Sequence, residues 1–493
     1  MRRTRLIGLI GLAASFVWCG GSGGKAELGI LLRMMPAQER FLREEIIPEF
    51  EREHDCRVKV SVFEKQWDID RVLKLERSKR HPEIDLVKTP FEMTRVLVSH
   101  GYMEELTNVR DSSEVVKDFE RYHQLASGLG FVEGKPYYVP RKLETRILFY
   151  RKSMVADAVE KFEGYRSDIE EALEKVNGYG LPSDYVLENE PGQWDLYDVY
   201  VVGFVWAHEE YQGVRMGRLA HRGARYGGTA LFLVDRAIQL GASPSEVLDI
   251  SCDASAETFL WEKVLVDGGL YHSGMWQDAW KGAGIYNGIK DGKVFLAYLQ
   301  QIDCFNVHGW SDDPGMPGYL PDRDDMGLSI VPRAVSLGLD SSGNPRRAGG
   351  RSISTGGWWW GIPKTAVEKD LAYEFARFMT SREVQVRESS KFGLIPVRRD
   401  VLTTLPNVFD EGWVGDIFLT SVDQIRINGL TTVPLVPEYS QASRLYVDAW
   451  YAICLEPGET KEGIPEFGDM KRRLVTEFPQ RRQAILGEET EDR

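Results

Sequence analysis

The chain predicts an α/β protein in which helices flank a mostly parallel sheet, organised as more than one domain. Three observations carry this. Residues 57–62 (Arg57-Val58-Lys59-Val60-Ser61-Val62) alternate strictly between polar and apolar, the period of a strand with one buried face. Residues 84–87 (Ile84-Asp85-Leu86-Val87) form a short apolar run of the kind found in buried parallel strands. Residues 91–100 read as a helix stopped by Gly101, so strand and helix alternate. At 493 residues the chain is long enough for two or more domains.

In order along the chain, Leu42, Ile46 and Phe50 recur every four residues on a helix that Pro48 should kink. Ligands of open α/β sheets sit beyond the carboxyl ends of strands, which here means Lys88 to Glu92. Residues 136–140 are an extended, proline-bounded connection. The polar cluster Arg141-Lys142-Leu143-Glu144-Thr145-Arg146 follows, and then apolar Ile147 to Tyr150. That polar break inside an extended stretch suggests a strand crossing an interdomain cleft. Residues 151–300 form a second α/β region, with a helix over 230–240 and a buried strand over 294–299 leading into Gln300 and Gln301. Residues 309–325 and 337–350 are rich in Gly, Pro, Asp and Ser and read as loops. Thr365 and Glu368 have capping-box spacing ahead of a helix with Leu371, Phe375, Phe378 and Met379 on one face. The last 30 residues are charge-rich and read as a frayed end.

The N-terminus is a separate element. Arg2, Arg3 and Arg5 precede an apolar run from Leu6 to Trp18 that is too short to span a bilayer comfortably. Cys19 and the tether Gly20-Gly21-Ser22-Gly23-Gly24 follow. The order resembles a bacterial lipoprotein signal, which implies lipidation of Cys19, export and a membrane anchor. Trp18 stands where such signals carry a small residue, and cleavage after Ala26 is the alternative. Residues 1–25 are therefore set aside as signal and tether.

Composition excludes several classes. Apolar content of 43% and charge of 28% mark a globular chain. Sixty-one Lys and Arg against 75 Asp and Glu leave −14, which argues against nucleic acid as the partner. Cys56, Cys252, Cys304 and Cys454 lack CxxC spacing, so zinc is not expected; they are open to two disulfides or to buried thiols. Histidine spacing suggests no metal site, and there is no GxSxG, HExxH or GxxxxGK[ST] motif. No catalytic residue and no cofactor is assigned.

What remains is binding chemistry. Sugars present polar edges and apolar C–H faces, so a sugar site needs aromatic plates beside carboxylates and amides. The candidates are Trp358, Trp359 and Trp360, with Tyr298, Gln300, Gln301, Glu92, Glu144 and Arg146. Alternate strand residues face opposite ways, so the three tryptophans cannot share one role and at least one is expected in the core. Glu144 and Arg146 are equally open to a mutual ion pair, and Gln300 and Gln301 to a solvated turn.

Six segments occur in order: Ile46-Ile47-Pro48-Glu49-Phe50-Glu51, Ile84-Asp85-Leu86-Val87, Gly292-Lys293-Val294-Phe295-Leu296-Ala297-Tyr298, Gly356-Gly357-Trp358 through Ile362-Pro363-Lys364, Tyr373-Glu374-Phe375 through Met379-Thr380-Ser381, and Gly393-Leu394-Ile395-Pro396-Val397-Arg398. Together they resemble the family 1 extracellular solute-binding proteins, the sugar-binding subunits of ABC importers related to maltose-binding protein. The resemblance implies a periplasmic-binding-protein fold, with two α/β lobes closing by a hinge over a ligand cleft and a permease that reads the closed form. It implies lobes at 27–140 plus 335–392 and at 141–334 plus 393–493, and a monomer. By motif position it implies ligand contacts at Thr89, Phe91 and Glu92, at Glu144, at Gln300 and Gln301, at Gly357 and Trp358, at Tyr446 or Trp450, and near Met35 and Gln38.

Two features depart from the family. Arg141-Lys142 stands where relatives carry aromatics, which implies either an acidic sugar such as a uronate or a surface facing the permease. The segment 195–228, with Trp206, His208, His221, Arg222, Arg225 and Tyr226, matches no subgroup pattern. The expected function is capture of a mono- or oligosaccharide for an ABC permease. The alternatives are a ligand-sensing accessory of a membrane kinase or chemoreceptor, or a secreted carbohydrate-active enzyme.

Overall fold

The computed structural model describes residues 25–66, 68–310, 315–338, 346, 348–405 and 412–455. Cys19, the signal segment and the charged C-terminal end lie outside the described residues. Nine strands of the described residues build two sheets: β1 (Ala26–Leu32), β2 (Cys56–Val62), β3 (Leu86–Pro90), β4 (Tyr138–Glu144), β5 (Arg146–Arg151), β6 (Leu219–Ala220), β7 (Leu296–Gln300), β8 (Met326–Ser329) and β9 (Gly356–Gly361). The first sheet runs β2-β1-β3-β9-β4 and the second β8-β5-β7-β6.

In the first sheet β1 pairs parallel with β2 and β3, and β9 is antiparallel to β3 and to β4. In the second, β5 is antiparallel to β7 and β8, while β6 and β7 are parallel. The chain passes from the first sheet to the second at Thr145, between β4 and β5. It returns ahead of β9, and a further stretch at Ile395 bridges to Leu143.

The expected strand over 57–62 falls in β2, while those over 84–87 and 294–299 overlap β3 and β7, which begin two residues later at Leu86 and Leu296. β2 is an edge strand, so its alternation separates half-buried from exposed residues. The helix Phe91–Ser99 ends where Gly101 adopts φ 70°, a left-handed conformation open to glycine. Pro48 acts on its helix as its missing N–H requires. A π-helical turn, Leu42–Ile46, precedes the helix Ile47–His54, and Leu42, Ile46 and Phe50 still reach the core.

The expected capping box is not formed. The helix begins later, at Lys369–Met379, and its N-cap residue Glu368 makes no side-chain cap. Asp85 caps it from across the sheet instead: one carboxylate oxygen accepts Val367 N at 2.7 Å and Glu368 N at 3.0 Å. The other oxygen accepts Gly29 N at 2.9 Å, so Asp85 ties β1, β3 and this helix together. Cys56, Cys252, Cys304 and Cys454 form no disulfide. No described helix is long and apolar enough to cross a membrane.

Candidate functional site

The two sheets point strand ends at one another across Thr145. On the first wall are the carboxyl ends of β3 and β4 and the start of β9. Trp358 stands opposite Pro90 of β3 and Lys142 of β4. Of the three tryptophans only Trp358 keeps exposed surface. Its indole N–H donates to Glu144 Oε1 at 3.1 Å, and Phe63 stands 6.5 Å away, ring to ring. The ammonium of Lys88 lies 4.5 Å from the Trp358 ring centroid and donates to Arg33 O at 2.8 Å. Lys142 pairs with the same Glu144 oxygen at 2.5 Å.

The opposite wall is the amino end of β5 and the carboxyl ends of β6 and β7. Arg146 pairs with Asp235 at 2.5 Å and donates to the hydroxyl and carbonyl of Ser354. Arg222, just past β6, pairs with Asp303 at 2.5 Å and reaches Gln300 Oε1 at 3.4 Å. Gln300 caps the helix Gln301–His308 in a capping box with Asp303. Tyr298 accepts from Arg236 at 3.3 Å and packs on Phe232 with ring centroids 5.1 Å apart. Arg146, Arg222, Phe232, Tyr298, Gln300 and His221 line one small internal cavity. The walls meet at the rim, where Asn306 Nδ2 donates to Met35 Sδ at 3.4 Å.

The electrostatics bind the walls together. Burial opposes the charge of Glu144, but Lys142, then Lys88 and Arg222 from across the cleft, outweigh it and hold its carboxyl below the usual range. Burial, reinforced by the Glu144 carboxylate, pushes Glu92 up to about 7. Burial, then the Lys142 and Arg141 cations, drives the Lys88 ammonium well below the usual lysine range.

Several candidates sit elsewhere than a ligand would need. Trp359 and Trp360 are both fully buried, and this corrects their assignment to the cleft. Both faces of the first sheet are covered, so strand alternation sends each into core: Trp359 donates to Ala126 O at 3.1 Å, and Trp360 packs edge-on against Phe375. Gln301 is also fully buried; its Oε1 accepts Thr145 N at 3.1 Å, so it holds the chain passage. Tyr446 is buried against Ser255 Oγ at 2.7 Å and Phe259, where its helix Tyr439–Ala449 packs on the helix Asp253–Asp267. Gly357 is needed by the backbone. Its φ is 151°, and a Cβ there would lie 2.1 Å from Lys142 O.

Glu144 and Arg146 do not pair with one another; each has its own partner on its own wall. Thr89 is fully buried with its hydroxyl unpartnered, Phe91 is 4% exposed, and Glu92 keeps partial exposure. Gln38, on the helix Pro36–Phe41, is buried with Nε2 unpartnered. Sequence reasoning did not single out Lys88, Asp235 or Ser354. Lys88 fell within the strand-end range, and nothing local marks Asp235 or Ser354.

Arg141 turns away from the cleft. Its place in β4 is a bulge, because Trp358 pairs with Lys142 while Trp359 pairs with Pro140. Pro140 has no N–H to give the ladder, and the skipped residue swings inward to pair with buried Glu388.

Two mixed sheets with flanking helices, joined by repeated chain passages that bring polar and aromatic side chains together at Thr145, make a periplasmic-binding-protein fold. The chain belongs to the bacterial extracellular solute-binding protein family, whose model matches residues 45–411. Maltose-bound T. maritima MalE3 is similar in fold, with TM-score 0.65 and 14% identity over 92% of this chain and 99% of that one. The GacH receptor of Streptomyces glaucescens, described in complex with acarbose, superposes with TM-score 0.63 and 18% identity over 92% and 99% of the two chains. The substrate-binding protein Lmo0181 of Listeria monocytogenes, in complex with cycloalternan, gives 0.64 and 14% over 94% and 100%. No curated protein sequence matches the chain.

Proposed function

We propose that the protein is the extracytoplasmic substrate-binding subunit of an ABC importer, capturing a carbohydrate between two lobes and delivering it to a membrane permease. One observation carries the reading: Trp358, the partly exposed tryptophan of the triplet, stands beside Glu144 and Lys142 at the Thr145 passage. An indole face suits the C–H face of a pyranose, and fixed carboxylate and ammonium groups suit its hydroxyls. Family membership supports a binding role, and the similar proteins named above are described in complex with maltose, acarbose and cycloalternan.

In this reading Glu92, Glu144, Lys142 and Trp358 contact the ligand from the first lobe, and Arg146, Arg222, Tyr298 and Gln300 from the second. A ligand touching both walls favours the closed form by its differential affinity for it. Cys19 carries the lipid that keeps the receptor at the membrane.

The test is thermal unfolding of the purified protein with mono- and oligosaccharides, polyols and amino acids. A sugar at a hundredfold excess over its dissociation constant stabilises by about 2.7 kcal/mol. The expected outcome is a shift with one sugar class that Trp358→Ala abolishes. A shift confined to amino acids, or one that survives Trp358→Ala, would sink the reading. For the anchor, growth with radiolabelled palmitate should label the wild type and leave Cys19→Ala unlabelled.

A further inference from the structure

The basic side chains around Trp358 outnumber the carboxylates. Three cations, Lys88, Arg141 and Lys142, act together there with two carboxylates, Glu144 and Glu388. Arg141 is taken by Glu388 and Lys142 by Glu144. Lys88 is left over. It is 2% exposed, and among the described residues no carboxylate lies within 4.0 Å of it. Of its three N–H donors one is used, on Arg33 O, and the indole face of Trp358 takes up part of the charge.

A buried ammonium without a counter-charge is costly. In the free protein that cost favours the neutral amine of Lys88, and an arriving anion removes the penalty and restores the ammonium. The facing wall does not supply the missing charge, because Asp235 is spent on Arg146 and Asp303 on Arg222. That wall also has spare donors: Arg146 Nε and Arg236 Nη1 are buried without partners. Glu92, near Glu144 and Arg146, is half protonated around neutral pH and is a poor source of negative charge.

We propose that the captured carbohydrate is acidic, a uronic or aldonic acid unit whose carboxylate seats beside Trp358 and is neutralised by Lys88. One ammonium, formed on Lys88 as the ligand seats, matches a monoanion. A phosphate dianion would leave a negative charge next to Glu144. Stacking on Trp358 supplies the sugar-ring recognition and Lys88 the discrimination against neutral sugars. This inference rests on the carbohydrate-receptor reading above.

The experiment is isothermal titration of the purified protein with matched pairs. D-glucuronate, D-galacturonate and their di- and trisaccharides are compared with glucose, galactose and the corresponding neutral oligosaccharides. At least one acidic member is expected to bind tenfold or more tightly than its neutral partner, with affinity falling as salt rises. Lys88→Met, a close steric match without charge, is expected to erase that preference while folding at least as stably as the wild type. Lys88→Arg controls for a Met variant that does not fold, and should retain the preference. Neutral sugars binding as tightly as acidic ones, or a preference that survives Lys88→Met, would overturn the acidic-ligand inference alone. No binding to either set would overturn the carbohydrate reading along with it.

Discussion

Asn428 Nδ2 lies 3.0 Å from Thr355 Oγ1, a buried hydrogen bond joining the helix Trp413–Asn428 to the chain returning toward β9. The same amide reaches Thr145 Oγ1 at 3.3 Å, on the outgoing passage between β4 and β5. Its carbonyl accepts Ile353 N at 3.0 Å and Gln424 Nε2 at 2.8 Å. One side chain thus fastens both passages between the sheets. Asn428→Ala leaves several buried polar groups unpaired and should cost roughly 3 kcal/mol. Urea unfolding monitored by circular dichroism measures it; a loss below about 1 kcal/mol would show that solvent replaces the network readily.

The tryptophan triplet should split by burial. Trp359→Ala and Trp360→Ala each open a cavity in a covered core and should cost about 3–5 kcal/mol. Trp358→Ala removes a partly exposed ring and should cost about 1–2 kcal/mol, while abolishing the ligand-induced thermal shift. Unfolding curves of the three variants, with and without ligand, separate the two classes. Equal losses across the three would contradict the division.

Gly357→Ala should destabilise the first sheet through the backbone of β4. The new Cβ would sit 2.1 Å from Lys142 O, a backbone atom that cannot move without shifting β4. We expect a loss of roughly 2–4 kcal/mol from clash and backbone strain. Gly357→Ala should also displace Glu144, so ligand affinity falls with stability. A variant as stable as the wild type in denaturant titration would mean that β9 does not approach β4 this closely.

Glu92 gives stability a pH slope of defined sign. Its carboxyl ionises at about 7 in the folded protein against 4.5 when exposed. Between those values the folded chain holds a proton that the unfolded chain has released. The stabilisation from the protonated form is full below about pH 4.5 and is lost as pH rises through 7. Glu92→Gln mimics the protonated form at every pH. It should match the wild type near pH 4.5 and exceed it by roughly 1–3 kcal/mol at pH 8. Paired thermal melts across that range measure the difference, and a constant offset would place the Glu92 pKa back in the ordinary range.

Local periodicity made much of the scaffold legible. The runs at 57–62, 84–87 and 294–299 and the stretch 91–100 carry their strand or helix signal in consecutive residues, and they overlap β2, β3, β7 and the helix Phe91–Ser99. Glycine and proline positions foretold the end at Gly101 and the disturbance at Pro48 for the same reason: backbone restrictions act within a turn. The Thr365 and Glu368 spacing was equally local, yet tertiary structure overrode it, because Asp85, just ahead of β3, takes the N–H groups of Val367 and Glu368.

Strand alternation separated the roles of Trp358, Trp359 and Trp360 in principle. Only the folded sheet, covered on both faces, decided that two of the three are core. The direction of Arg141 depended on a bulge that exists only once β9 lies against β4. The lack of a carboxylate partner for Lys88 depended on which carboxylates its neighbours had already taken. By itself, then, the sequence determined the α/β class, most of the element types and a family resemblance, because those follow from local pattern and composition. Which side chains line the site and which amine there lacks a carboxylate partner were decided by tertiary structure, because burial and ion pairing depend on partners hundreds of residues away.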